Sequence, residues 1–270
     1  MSRPKKISHG PKRIPYYQYA MLCVIGILGF FLIWQMAVDF GWISSQYLAA
    51  PTKVLTTFVT KLTNKNPDGS TLPVNILTSL SVALSGFGVA VVIGTPLGLL
   101  MGWYKPIDRF VRPVFEIVRP IPPIAWIPLT ILWLGIGLGA KALIIFFSAF
   151  VPCVINSYTG IKLTNQTFIN VAKTFGAGNF TVFWKVGIPS ALPMAFAGIR
   201  IALGNAWTTL VAAELLASNA GLGYMISMGR QFARPDIIIL GMVVIGVIGA
   251  LFSAVLSRVE NSMVRGRSAK

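Results

Sequence analysis

The chain has 270 residues and a formal net charge of +16, with 55% hydrophobic and only 11% charged residues, whereas a soluble domain is about 25% charged. That balance excludes an ordinary soluble domain and predicts an all-α integral membrane protein. The excess Lys and Arg border the apolar runs, so membrane topology and anionic lipid account for them and no nucleic-acid partner is called for.

A basic cytoplasmic tail, residues 1–15, carries Arg3, Lys5, Lys6, Lys12 and Arg13 ahead of an apolar run at 17–38. That run is longer than a signal-peptide core and is read as a retained anchor. Residues 51–62, PTKVLTTFVTKL, set Val54, Leu55, Phe58, Val59 and Leu62 on one helical face and Lys53, Thr56, Thr57, Thr60 and Lys61 on the other. This predicts an amphipathic helix on the outer surface, with Pro51 in its first turn.

Further apolar runs at 76–102, 122–138, 143–160, 190–213 and 236–257 bring the predicted spans to six within a transmembrane region of 16–260, followed by a tail at 261–270. Gly135, Gly137, Gly139 and Lys141 form a turn between the third and fourth spans. Before the third, RPIPPI (119–124) reads as a helix boundary stiffened by proline. Gly94, Gly98 and Gly102 repeat a small residue every fourth position, which serves close helix packing within one chain or between two. Cys23 and Cys153 fall in apolar runs and read as buried thiols.

With both termini inside, segments on the cytoplasmic side carry sixteen Lys and Arg and those outside carry six. The positive-inside rule therefore places both ends, and the 161–189 loop, in the cytoplasm. Chemistry is scarce. The one histidine is His9, and the seven acids (Asp39, Asp68, Asp108, Glu116, Glu214, Asp236, Glu260) show no paired spacing. No catalytic set, metal motif or phosphate-binding P-loop is present in the sequence. If ATP drives this protein, another subunit binds it.

The 161–189 loop is unusual for a solvated connection. Val171, Ala172 and Phe175 share a helical face, Gly176 to Gly178 break the helix, and Phe180, Phe183 and Trp184 form a second apolar stripe before Pro189 opens the fifth span. Two short helices joined by a glycine turn, with aromatics on one face, suit docking into a partner's groove.

These residues resemble the coupling pattern E-A-A-x3-G-x9-I-x-L-P of binding-protein-dependent ABC importer permeases. Asn170, Val171, Ala172, Gly176, Val186, Ile188 and Pro189 fall on its positions. Asn replaces the usual Glu and Val the first Ala. The segments RPIPPIAWIPLTILWLGIG, GIRIALGNAWTTLVAAELL and AGLGYMI look like permeases of the nitrate, sulfonate and taurine importers, and the likeness runs from about Ile76 to Glu260.

The resemblance implies a six-span type I ABC importer fold in the inner membrane and a homodimer of this chain. It also implies two separate ATPase subunits holding ATP and Mg on the coupling loops, and an extracytoplasmic solute-binding protein. The permease itself would hold no cofactor and catalyse no reaction. Arg200, Asn205, Trp207, Thr208, Thr209 and Glu214 in the fifth span offer a cationic, hydrogen-bonding wall for an anion such as a sulfonate or nitrate. A structural ion pair is the other reading of Arg200. The rival class is a self-sufficient secondary transporter or channel, which would call for intramembrane carboxylates or an inverted repeat.

Overall fold

A computed structural model describes residues 16–268, and every regular element among them is helical. In chain order these are α1 (Tyr16–Asp39), α2 (Pro51–Lys61), α3 (Leu72–Trp103), α4 (Lys105–Val118), a 3-10 turn (Pro123–Trp126) running into α5 (Ile127–Leu134), and α6 (Leu138–Lys162). The chain continues through α7 (Gln166–Thr174), α8 (Asn179–Val182), a π turn (Phe183–Gly187), α9 (Ile188–Leu216), α10 (Leu222–Gln231) and α11 (Pro235–Ser268).

The core is a pair, α3 and α6, packed so closely that only glycine fits at the points of nearest approach. A Cβ at Gly86 would lie 2.8 Å from the Ile145 Cβ, one at Gly94 3.1 Å from the Cys153 Cβ, and one at Gly102 2.7 Å from the Ile161 Cβ. The small-residue repeat therefore packs within the chain, where close backbone approach gains dispersion contacts that lipid cannot supply. Partner positions rise together along both helices, so α3 and α6 run parallel.

Parallel packing dictates the route between them. A chain that leaves the end of α3 must return to the starting face before α6 begins. The returning limb is α4 and α5 with their 3-10 turn, two helical pieces bent by 83° at the break. Among the described residues five helices are long and apolar enough to cross a membrane alone, and the bent pair, taken as one span, makes six. The predicted third span at 122–138 is thus only the second limb of a broken crossing. Its first limb, α4, stood in the predicted cytoplasmic segment because its charges mask it, although Arg112 pairs with Asp108 at 2.8 Å and its guanidinium lies over the Tyr158 ring.

Helix α9 packs antiparallel on α6: a Cβ at Gly160 would meet the Ala191 carbonyl at 2.8 Å, and one at Gly198 the Asn156 Cβ at 2.6 Å. On the other side of α9, Trp207 donates its indole N–H to the Ile245 carbonyl of α11 at 3.1 Å. One end of the bundle therefore gathers the starts of α3, α6 and α11, the end of α9, and both α2 and α10. The opposite end gathers Trp103, Lys162, α7 and α8.

Two surface expectations change. Helix α2 forms, but it buries Val54, Thr57 and Lys61 and leaves Leu55 and Val59 exposed. The predicted faces are rotated because polar partners sit beneath it: Thr57 donates to Asp236 at 2.7 Å, and Lys61 pairs with the buried Asp68. Cys153 is buried as expected, whereas Cys23 is exposed on α1, whose apolar surface packs on little besides α2.

Candidate functional site

Between α6 and α9 the chain leaves the bundle and returns. Asn165 opens α7 by accepting the Thr167 amide at 2.9 Å, the side-chain cap that satisfies an orphan N–H. Helix α7 ends where Gly176 adopts φ +80°, a left-handed conformation glycine takes without a Cβ penalty. Its amide reaches the Lys173 carbonyl at 2.9 Å, and the Ala177 amide reaches Ala172 at 3.1 Å. A Cβ at Gly176 would touch nothing within 4 Å, so backbone conformation rather than space selects glycine there.

The resulting module is open. Asn170, Val171, Phe175, Gly178, Phe180 and Trp184 are exposed, Phe175 at 86% of its surface, while Ala172, Val186, Ile188 and Pro189 are half-buried. Asn170 accepts a hydrogen bond from Gln166 at 3.1 Å across one turn of α7. Phe168, Val171, Ala172, Lys185, Val186 and Pro189 border an open groove of about 610 Å³. Lys173 and Lys185 add positive charge to this face.

Phe183 corrects the predicted stripe. It is only 4% exposed and packs at 5.5 Å on Trp103 and 5.6 Å on Tyr104. The reason is the π turn, which places one residue more per turn than an α-helix. Phe180 and Trp184 remain paired on the surface at 6.1 Å while Phe183 turns inward. The second short helix is likewise continuous through this turn with α9, so the fifth span begins at Asn179 and not at Pro189.

Halfway along the bundle the 83° corner opens a second feature. Pro122, Pro123 and Trp126 from the corner, Phe115 and Arg119 from around the end of α4, Phe147 and Ser148 from α6, and Asn205, Thr208 and Thr209 from α9 line a cavity of about 550 Å³. Ser148 and Thr209 share a 2.7 Å hydrogen bond. Trp126 stacks on Phe147 with centroids 4.8 Å apart. Sequence reasoning placed three α9 residues here but missed the aromatic wall and Arg119; the proline cluster at 120–123 was the available signal.

The other predicted fifth-span residues go elsewhere. Arg200 and Trp207 face α11, bordering a smaller cavity with Gly249, Phe252 and Leu256. They lie on a different side of α9 from Asn205, which a helix of 3.6 residues per turn sets roughly 140–160° away from them, with Thr208 between the two sides at roughly 80–100°. Glu214 lies at the end of α9 and is 1% exposed. It borders neither of these cavities and instead holds α10.

That hold is a network of side-chain acceptors on the first amides of α10. The Gly221 amide donates to Asn75 at 3.2 Å, the Leu222 amide to Ser79 at 2.9 Å and the Gly223 amide to Glu214 at 2.9 Å. Ser79 donates onward to the Glu214 carboxylate at 2.9 Å, and Asn75 to Asp68 at 2.6 Å. Lys141, read from the sequence as part of an outer turn, is buried in the first turn of α6 and donates to Ser218 at 2.9 Å. Arg234 closes the same end on Asp236 at 2.7 Å, which raises its affinity for its proton.

Comparison with known proteins places this architecture. The family model described as "Binding-protein-dependent transport system inner membrane component" matches residues 94–267. The taurine transport system permease protein TauC of Escherichia coli is 35% identical over 243 residues, 88% of this chain and 87% of TauC. A putative aliphatic sulfonates transport permease protein, SsuC of Bacillus subtilis, is 31% identical across 87% of this chain and 84% of its own length. Among solved structures, an inward-facing MetNI methionine ABC transporter aligns with a TM-score of 0.60 at 20% identity, over 70% of this chain and 94% of that one, a likeness of fold alone. With a family model covering well over half its length and relatives this similar, the chain belongs to the binding-protein-dependent transport system inner membrane components.

Proposed function

We propose that this inner-membrane protein is the permease subunit of an ATP-driven importer for a small anionic solute, which crosses by alternating access between the two faces. The observation that carries the reading is the α7–α8 module, with its exposed aromatic and aliphatic face at one end of the bundle. Lipid would leave its interspersed polar groups unpaired, and water gains nothing from its aromatics, whereas an ATPase groove would bury the latter.

The module sits directly on α6 and α9, two of the helices that line the central cavity. Helix α7 is joined to α6 through three residues, and α8 runs into α9. Displacement of the module by a nucleotide-driven partner is therefore transmitted to both helices that line the central cavity. The proposed arrangement has two ATPase subunits holding ATP and Mg, a second copy of this permease, and an extracytoplasmic binding protein delivering the solute. Both termini and the α7–α8 end face the cytoplasm, in agreement with the charge distribution. Relatives named for taurine and aliphatic sulfonates support an anionic solute.

The test is co-purification of the ATPase with wild-type permease and with Phe175→Asp, alongside uptake in membrane vesicles. Phe175 has almost no internal packing, so the variant should insert normally, lose the ATPase and lose transport. Full retention of both would overturn the module's coupling role.

A further inference from the structure

We propose that the central cavity is a solute subsite, and that it selects a monoanion carrying a flat or apolar body, such as an aryl or longer-chain alkyl sulfonate, over a zwitterion or an inorganic anion. This rests on the importer reading above and adds the chemistry of the solute. Depth comes first. Ser148 and Phe147 lie near the middle of α6, and Asn205 is level with them on α9, its carbonyl accepting from the Ser148 hydroxyl at 3.2 Å, with Thr208 about one turn further on. Polar side chains at that depth face protein, water or solute, because lipid offers no hydrogen bonds. Yet Asn205 and Thr208 are exposed, and among the described residues the Asn205 carboxamide has no hydrogen-bond partner. The Thr208 hydroxyl donates back to its own helix, at 3.0 Å to the Asn205 carbonyl, which leaves its oxygen free to accept. Polar capacity thus converges on one side of an otherwise apolar chamber.

The chamber wall supplies the second half of the specificity. Trp126 and Phe147 stack at 4.8 Å with planes 21° apart, presenting a continuous aromatic surface, and Phe115 and Phe150 pack edge to face behind it at 6.3 Å. A volume of about 550 Å³ falls within the range of small-molecule pockets, about 300–1,000 Å³. A ring or longer alkyl chain would bury its apolar area there, whereas nitrate or bicarbonate would leave the wall unused.

Charge makes the third distinction. Among the described residues Arg119 is the only charged one at the chamber, and its guanidinium is half-exposed with only a long 3.5 Å contact to Glu116, so its donors remain available for a sulfonate or carboxylate. Among the same residues no carboxylate lines the chamber. The ammonium of a zwitterion such as taurine would enter without a counter-charge and lose solvation.

The experiment uses the full-length permease in lipid nanodiscs and measures equilibrium binding of benzenesulfonate, methanesulfonate, taurine and nitrate. Wild type should bind benzenesulfonate roughly tenfold more tightly than methanesulfonate, the contribution of burying a ring on an aromatic wall, with taurine and nitrate weaker still. Trp126→Leu and Phe147→Leu should each narrow the gap between the two sulfonates. Arg119→Gln should weaken both about tenfold, the effect of removing a charge-assisted hydrogen bond, and Thr208→Val and Asn205→Leu should weaken both by less. Arg200→Gln, on the α11 side of α9, should change nothing. Failure of wild type to bind benzenesulfonate at millimolar concentration, equal binding of taurine or nitrate, or indifference to both Trp126→Leu and Arg119→Gln would each overturn the assignment. ATPase co-purification with the same preparations separates the two readings: retained ATPase without sulfonate binding removes the subsite and leaves the coupling role, and the reverse removes the coupling role alone.

Discussion

At one end of the bundle the opening amides of α10 are held by Asn75, Ser79 and Glu214, side chains from two other helices. At the other end α7 is capped by its own neighbour Asn165, and its apolar side chains point away from the bundle. Both regions are short helices outside the main crossings. The difference is in who satisfies them: α10 is completed by this chain, while α7 and α8 leave their apolar face to something else. A buried polar network of this kind rigidifies when every member is paired, so α10 is built to stay and the α7–α8 module is built to be met.

The largest effect should come from breaking the clamp. Glu214→Ala leaves Ser79 and the Gly223 amide without their acceptor in a buried setting, a loss on the order of 3 kcal/mol. A thermal melt of the purified permease should show a clearly lowered transition, while Glu214→Gln, retaining one acceptor oxygen, should lose less. An unchanged melt for Glu214→Ala would mean that α10 is held some other way.

Phe183 gives the next test, because it belongs to the docking segment by position and to the core by burial. Phe183→Asp would place a carboxylate against Trp103 and Tyr104 and should cost about 3 kcal/mol of permease stability. Phe175→Asp, eight positions earlier, should stay within about 0.5 kcal/mol of wild type. If the two variants melt alike, the distinction between buried and docking faces of this segment is wrong.

A smaller and local effect is expected at Gly176. Valine there must take φ +80°, at a cost of about 1–2 kcal/mol, and the empty surroundings add no clash. The permease melt should fall by a few degrees, less than for Glu214→Ala or Phe183→Asp, while ATPase co-purification falls. Hydrogen exchange sharpens the same contrast without mutation: the amides of Gly221, Leu222 and Gly223 should exchange far more slowly than the exposed first-turn amides of α7. Finally, in a Cys23→Ala background, a cysteine at Thr56 should react with an impermeant reagent from outside and one at Asn179 should not. The change at Thr56 should leave stability unaltered and that at Asn179 should cost only the exposed 3.2 Å hydrogen bond it accepts from Trp103, and the reversed labelling pattern would invert the proposed orientation.

The contrast between the ends also marks what could be read from sequence. The long apolar runs, the glycine break at 176 and the exposed aromatics of the loop were legible because each is a local property. The bent crossing was half legible. Helix α4 carries Lys105, Asp108, Arg109, Arg112 and Glu116, so its hydropathy resembles that of a loop, and only its packing on α3 and α6 reveals its course. The inward turn of Phe183 depends on a π turn and on Trp103, eighty positions earlier. The placement of Glu214 depends on Ser79 and on the α10 amides, and no spacing rule connects residues that distant. The polar residues of α9 were found as a set, but one helix has several sides, and which neighbour covers each is a tertiary fact.

The parallel pairing of α3 with α6 bears on how the protein is made. The partner of each α3 glycine emerges about 60 residues later, which at about 5–20 residues per second takes roughly 3–12 s of synthesis. Throughout that interval α3 is in the membrane with its glycine face uncovered, exposing the narrow groove that later admits α6. Its length and apolar composition let it wait there as an independent span, but any other helix with a row of small residues could occupy the groove first. Assembly is therefore a race in the lipid between α6 and every nascent competitor, and the short α4–α5 return, which keeps α6 tethered close to α3, favours the right winner.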